Sequence, residues 1–171
     1  MLQLSAAIIG RRVMSLQTSS AVAVTTGVVL DPNNLKIEAL RCQESRGSSE
    51  LLLLPRDIRD IISQGIVVND HTVLTEAEDL VRLKDVLELG YEIIGKKVLT
   101  TDQQKIGRVE DFAIESQSMY IQKLYVTPTF MKSLAGGQRS IDRSQIVEIT
   151  NSSVIVQDTK ERANGAVPVA A

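Results

Sequence analysis

A six-residue pattern that occurs twice constrains this chain more than any other feature. Residues 8–13 and 93–98 share an apolar pair, a glycine, a basic pair and a valine. The two glycines, Gly10 and Gly95, stand 85 positions apart. Self-similarity at a fixed spacing is the signature of a structural unit that is repeated. We therefore interpret the chain as two copies of a small β domain.

Later segments of the two copies align as well. Residues 66–68 and 154–156 are both aliphatic triplets, and residues 27–31 resemble residues 107–111. The second alignment needs an offset of 80 instead of 85. The sequence therefore predicts about five extra residues in the first copy, near residues 19–24. Short β-branched runs separated by turn residues favour a small barrel or sandwich for each copy.

The segment between the copies is predicted to be helical. Thr75 and Glu78 have the spacing of a capping box, and Gly90 is placed to end a helix. Apolar residues recur at i, i+3 and i+7, as Leu80, Leu83 and Leu87. This pattern predicts an amphipathic helix from about 76 to 89.

The predicted fold class is mainly all-β, with two small barrels related by the internal repeat and joined by that helix. The expected organisation has four segments: a first barrel at 1–70, a linker helix at 71–90, a second barrel at 91–158 and a disordered tail at 159–171. The small and polar composition of the last segment is typical of an unstructured terminus.

Composition excludes several functions. The net charge is −2, whereas duplex-binding proteins usually carry a basic surface, so we expect no DNA partner. The longest uncharged run, 13–30, holds too many polar residues to be a good membrane span. The single cysteine, Cys42, fits a reducing, cytoplasmic compartment. It is interpreted as a small buried hydrophobe, because the only histidine, His71, lies on a polar connector.

No arrangement of residues indicates catalysis. No cluster of His, Cys and Asp has metal-ligand spacing, and no glycine-rich phosphate-binding pattern is present. We therefore expect no catalytic residues, no metal, no cofactor and no small-molecule substrate.

Two features are candidates for partner binding. The basic pairs Arg11, Arg12 and Lys96, Lys97 occupy equivalent places in the copies. Neighbouring strand residues point to opposite faces, so one member of each pair is expected to be exposed and the other to lie along a barrel rim. A solvated rim and a patch for an anionic partner (protein acid, lipid headgroup or RNA phosphate) are both compatible with this pattern.

The second candidate is the apolar group Phe130, Met131 and Leu134 in a predicted loop at 127–139. Large apolar side chains on a loop form either a lid over the barrel end or an exposed contact. Loops carry function more often than the scaffold does.

The order of these motifs resembles the PRC-barrel family. The second copy shows Gly-x-x-Val, a turn, Ile-Gly-x-Val-x-Asp and a final Val-Ile-Val run. The match is carried there by Gly95, Val98, Ile106, Gly107, Val109 and Asp111, and more weakly in the first copy by Gly10, Val13, Gly27, Val29 and Asp31. The first copy departs from the pattern at Thr26, where the second has Ile106.

The resemblance implies a non-catalytic adaptor that binds protein partners. The chain, with its two copies, looks like two-copy PRC-barrel proteins of cyanobacteria. This likeness implies a role peripheral to a photosynthetic membrane complex or its biogenesis, with subunits of that complex as partners. The expected location is cytoplasmic, with membrane contact at most peripheral, on the cytoplasmic face of a thylakoid-type membrane. The alternative is a ribosome maturation factor that binds a ribosomal protein or rRNA, which would require a different kind of first domain.

Overall fold

The structure is a computed structural model that describes residues 1–128 and 137–157. It is mainly β, as the sequence predicts. The chain divides into two compact units. Unit 1 comprises residues 1–92 and 113–122, and unit 2 comprises residues 93–112 and the described residues from 123 onward. The predicted domains follow the sequence repeat, whereas these units assign part of the second copy, 113–122, to unit 1. The predicted tail at 159–171 lies outside the described residues.

Unit 1 contains the first eight strands in chain order: β1 (Leu2–Leu4), β2 (Arg12–Ser15), β3 (Ser20–Asp31), β4 (Lys36–Glu44), β5 (Glu50–Leu53), β6 (Ile58–Ile62), β7 (Gly65–Val68) and β8 (Leu74–Thr75). Seven of these form one sheet in the order β6-β7-β2-β3-β4-β5-β8. The pair β2 and β7 is parallel, and the other neighbours are antiparallel.

Unit 2 is built from six further strands: β9 (Lys97–Thr100), β10 (Lys105–Glu115), β11 (Ile121–Pro128), β12 (Arg139–Asp142), β13 (Ile146–Ile149) and β14 (Ser153–Val156). Their order is β12-β11-β10-β9-β14-β13, and β9 and β14 are parallel. The last residues of β10 and the first of β11 belong to unit 1, where β1 pairs with residues 113–115.

The two sheets have corresponding strand orders. The run β6-β7-β2-β3-β4-β5 in the first corresponds to β13-β14-β9-β10-β11-β12 in the second, with the parallel pair at the same place. Among the described residues neither sheet closes on itself. The mainly β class is therefore observed, while a pair of closed barrels stays a prediction.

The strand register corrects the alignment of the copies. Val13 pairs with Ala23 where Val98 pairs with Gly107, so Ala23 takes the place of Gly107 in the first copy. The predicted match between Gly27 and Gly107 is wrong, and so is the five-residue insertion that it required. The two runs look alike because both begin with glycine, have valine two positions later and end in aspartate. Strand pairing, however, fixes the register.

The surroundings of the two glycines explain why the register matters. A Cβ at Gly107 would overlap the backbone carbonyl oxygen of Thr127. At Gly27 the nearest atom would be the Cδ of Arg41, at an ordinary contact distance of 3.7 Å. Of Gly27 and Gly107, only Gly107 therefore has to be glycine to allow close backbone approach.

Glycine is needed for a different reason at Gly10 and Gly95, which precede β2 and β9. Gly10 and Gly95 have φ angles of 72° and 84°. Their amides donate to the carbonyl oxygens of Thr25 (2.9 Å) and Val109 (2.7 Å). A Cβ at either glycine would meet no described atom within 4 Å. Glycine is therefore favoured at both positions by the left-handed backbone and not by close approach of another chain segment.

The predicted helix at 76–89 is wrong in its extent. Two 3₁₀ turns, Ala77–Asp79 and Val81–Leu83, precede a single α-helix in the described chain, α1 (Lys84–Leu89). The break falls at Leu80, whose φ of −101° and ψ of 63° are not helical. Gly90, with φ 52° and ψ 37°, ends α1 as predicted.

The apolar face of this segment is nevertheless the one that the sequence indicates. Buried residues of the unit 1 sheet, Val29, Ala39 and Leu52, pack against the apolar residues of the turns and helix, Leu80, Leu83, Val86 and Leu87. The predicted capping box does not form: the first turn has Glu76 and not Thr75 as its N-cap, and no side chain caps it. The Thr75 hydroxyl donates instead to the Val73 carbonyl oxygen (3.4 Å). Packing against the sheet therefore determines the conformation of residues 77–89 more than helix capping does.

The register can be tested by replacing each of two glycines with alanine. Gly107→Ala should lower the free energy of unfolding by about 1–3 kcal/mol, because the added methyl group collides with backbone. Gly27→Ala should change it by less than about 1 kcal/mol and in the stabilising direction, because alanine costs less backbone entropy. Urea unfolding of the two full-length variants measures both. Equal losses would support the original alignment and contradict the register.

Candidate functional site

The structure divides each basic pair into two different roles. Arg11 is half-buried, and its Nη2 donates to the carbonyl oxygens of Ile62 (3.4 Å) and Ser63 in the turn between β6 and β7. Lys96 is also half-buried, and its Nζ donates to the carbonyl oxygen of Asn151 (2.7 Å) in the turn between β13 and β14. These two residues therefore fasten equivalent turns to their own sheets.

The second member of each pair points to solvent. Arg12 and Lys97 are exposed, whereas the next residues along their strands, Val13 and Val98, are fully buried. Neither cation forms an ion pair with any carboxylate within residues 1–128 and 137–157. Of the four predicted site residues, these two have the charge and accessibility for a partner. A docking role for them stays a prediction.

The second predicted group, Phe130, Met131 and Leu134, lies outside the described residues. Both interpretations, a lid over the barrel end and an exposed contact, therefore stay predictions.

Cys42 has the environment of a structural residue. It is fully buried, and desolvation raises the pKa of its thiol to about 12 despite a backbone hydrogen bond from Leu53 that lowers it. The corresponding residue of the second copy is Val126, which is also fully buried. A position that takes either cysteine or valine is used for packing.

A groove of about 770 Å³ lies in unit 1 beside the broken helix. Its lining mixes aliphatic residues with charged ones of both signs: Lys36, Glu38, Leu54, Pro55, Arg56, Asp79, Leu80, Val81, Arg82 and Leu83. Lys36 and Glu38 pair with each other at 3.3 Å. Sequence reasoning missed this groove because it arises where Leu80 interrupts the predicted helix.

Sequence reasoning also missed two exposed aliphatic residues next to Arg12. Val24 and Ile62 are 40% and 37% exposed. Val24 lies between the buried residues Ala23 and Thr25, so the alternation of β3 alone would have placed it on the outer face.

Metal sites and membrane-spanning helices are both absent from the described part of the chain. There, no group of three His, Cys, Asp or Glu side chains is placed to hold a metal ion. Within the same residues, none of the helices has the length and apolar character needed to span a membrane.

The sequence profile described as PRC-barrel domain matches residues 85–163. Residues 85–163 are therefore similar to a PRC-barrel domain. This confirms the resemblance carried by the motif from Gly95 to Asp111. No curated protein sequence matches the chain.

The matched PRC-barrel domain includes all six strands from β9 to β14 and both Lys96 and Lys97. The first copy lies outside the match but has the corresponding strand order. PRC-barrel domains generally mediate protein interactions, so exposed residues of the two sheets are the relevant candidates.

The two roles within each basic pair predict different effects on stability. Arg11→Gln should lower the free energy of unfolding by about 1 kcal/mol, because two carbonyl oxygens of the β6–β7 turn lose their donor. Arg12→Gln should stay within about 0.5 kcal/mol of the unsubstituted protein, because its side chain is solvated. Urea unfolding measures both, and Lys96→Gln and Lys97→Gln repeat the comparison in the PRC-barrel domain. Equal effects within a pair would contradict the division.

The environment of Cys42 predicts a slow reaction with iodoacetamide. At pH 8 a thiol with a raised pKa has little of the reactive thiolate, and burial hinders the reagent further. Alkylation of the native protein should be at least about a hundredfold slower than alkylation in urea, as followed by mass spectrometry. Similar rates in the native and unfolded states would show that the thiol is accessible.

Proposed function

We propose that this protein is a non-catalytic adaptor that binds a protein partner at the periphery of a photosynthetic membrane complex or during its assembly. The PRC-barrel match supports an interaction role, since such domains generally bind proteins. The exposed cations Arg12 and Lys97 stand at equivalent places in the two copies and are not neutralised by described carboxylates. Such cations are available to a partner that carries acidic groups.

We further propose that the two copies are barrel-type units that arose by duplication. The observation that carries this proposal is the corresponding strand order, with the parallel pairs β2–β7 and β9–β14 in the same position. A shared order of six strands supports common descent more strongly than the short sequence motif does.

The same observation favours the adaptor over a ribosome maturation factor. The resemblance implies that such a factor would have a first domain of a different kind from its second. Here the first sheet has the strand order of the second, and the chain carries a net charge of −2, which suits RNA phosphates poorly.

Affinity purification of the tagged full-length chain from its native cells tests the proposal. Subunits of a photosynthetic complex should co-purify, and their recovery should fall by about tenfold or more with Arg12→Gln and Lys97→Gln combined. The matched control combines Arg56→Gln and Lys105→Gln, which removes one exposed cation from each unit and the same total charge.

Two results would overturn this assignment. Ribosomal proteins as the main specific partners would favour the alternative function. Equal losses with the control variant would show that recovery depends on net charge and not on Arg12 and Lys97.

A further inference from the structure

The two copies differ in what surrounds their exposed cation. In the first copy, Arg12 pairs across the strands with Val24. On the other side of Arg12 lies Gly65, where an added Cβ would be 3.5 Å from the Arg12 Cβ, and Gly65 pairs with Ile62. The Arg12 side chain therefore stands between two exposed aliphatic residues.

These residues share the outer face of the unit 1 sheet. Val13 and Ala23, which adjoin Arg12 and Val24 along their strands, are fully buried, and so is Ile66, which follows Gly65. Successive strand residues alternate between faces, so Arg12 and Val24 both point away from the core. We call the surface formed by Arg12, Val24 and Ile62 the Arg12 face.

The corresponding surface of the second copy is polar. Lys97 pairs with Arg108 and Ser153, and Thr150 stands where the first copy has Ile62. Arg108 donates to the carbonyl oxygen of Gly95 (2.8 Å), and the Thr150 hydroxyl lies 3.0 Å from the Ser153 hydroxyl. Most of these polar groups are thus bonded within their own copy.

From this difference we infer that the Arg12 face binds a protein segment that presents a carboxylate beside an apolar side chain, an assignment that rests on the proposed function and narrows it to one face of one copy. A guanidinium matches a carboxylate with two parallel hydrogen bonds. Val24 and Ile62 supply apolar area that the partner would cover. Covering them also removes water from the ion pair and strengthens it.

The contrast between the copies also argues against a nucleic acid or an anionic lipid surface at the Arg12 face. Such ligands are attracted by several cations at once. The second copy has two neighbouring cations in this row, Lys97 and Arg108, whereas the first has one cation between aliphatic residues. The Arg12 face therefore fits a protein segment better than it fits a polyanion.

The chain itself supplies conservative variants for the test. Val24→Arg combined with Ile62→Thr installs the residues of the second copy, and both residue types are accommodated by that sheet. Arg12→Gln removes only the cation and serves as an independent variant. Arg46→Gln is the matched control, because it removes another exposed arginine from the same unit.

Selection of a displayed library of 12-residue peptides on immobilised full-length protein should enrich peptides with Asp or Glu next to an aliphatic or aromatic residue. For synthetic versions of these peptides, fluorescence anisotropy should show a Kd at least about tenfold weaker with Arg12→Gln and with the Val24→Arg, Ile62→Thr variant. Arg46→Gln should leave the Kd within about twofold. Changing the peptide carboxylate to the amide should weaken binding as much as Arg12→Gln does.

Several outcomes would overturn the inference. No enrichment, enrichment of peptides without acids, or an equal loss with Arg46→Gln would each do so. If the protein self-associates in sedimentation and the Val24→Arg, Ile62→Thr variant does not, the face binds a second molecule of this chain. If the protein binds anionic vesicles or RNA and Arg12→Gln abolishes that binding, the face binds a polyanion. If native partners still co-purify with the Val24→Arg, Ile62→Thr variant, the proposed function stands and only the Arg12 face is wrong.

Discussion

Two reciprocal backbone hydrogen bonds within unit 1 join equivalent residues of the two sequence copies. The amide of Ile37 donates to the carbonyl oxygen of Met119, and the amide of Ile121 donates to that of Leu35, both at 2.9 Å. Ile37 and Ile121 are counterparts in the two copies, and each donates to the residue two positions before the other. Exchanging the copies therefore leaves the pair of bonds unchanged, which is the property of a two-fold symmetric contact.

The turns of the β3–β4 and β10–β11 hairpins have the same local structure beside this contact. Leu35 and Met119 have the unusual φ angles of 58° and 59°, and an acid at the preceding turn holds each hairpin. Asp31 accepts from the Asn33 amide at 2.9 Å. Glu115 accepts from the N-terminal amine and from turn amides, which lower its pKa to about 2. The charged form of Glu115 thus stabilises the turn above its ordinary pKa, and this contribution is lost as pH falls towards 2.

The sequence predicts the repeat, the glycine starts and the faces of the strands, because these depend on local backbone angles and on alternation. It does not predict register at Gly107, which is fixed by the approach of a carbonyl 20 positions later in the chain, at Thr127. Nor does it predict the break at Leu80, which accompanies packing on a sheet. At the candidate site, alternation identifies one exposed cation in each pair, but the bond from Arg11 to the distant Ser63 turn is visible only in the fold.

Amide hydrogen exchange of the full-length chain, followed residue by residue by NMR, tests the reciprocal contact most directly. Because Ile37 and Ile121 donate equivalent hydrogen bonds from fully buried positions, their amides should both be strongly protected, with exchange rates within about tenfold of each other. Protection of Ile37 together with rapid exchange at Ile121 would show that the contact is one-sided, and would contradict an architecture built from two equivalent copies.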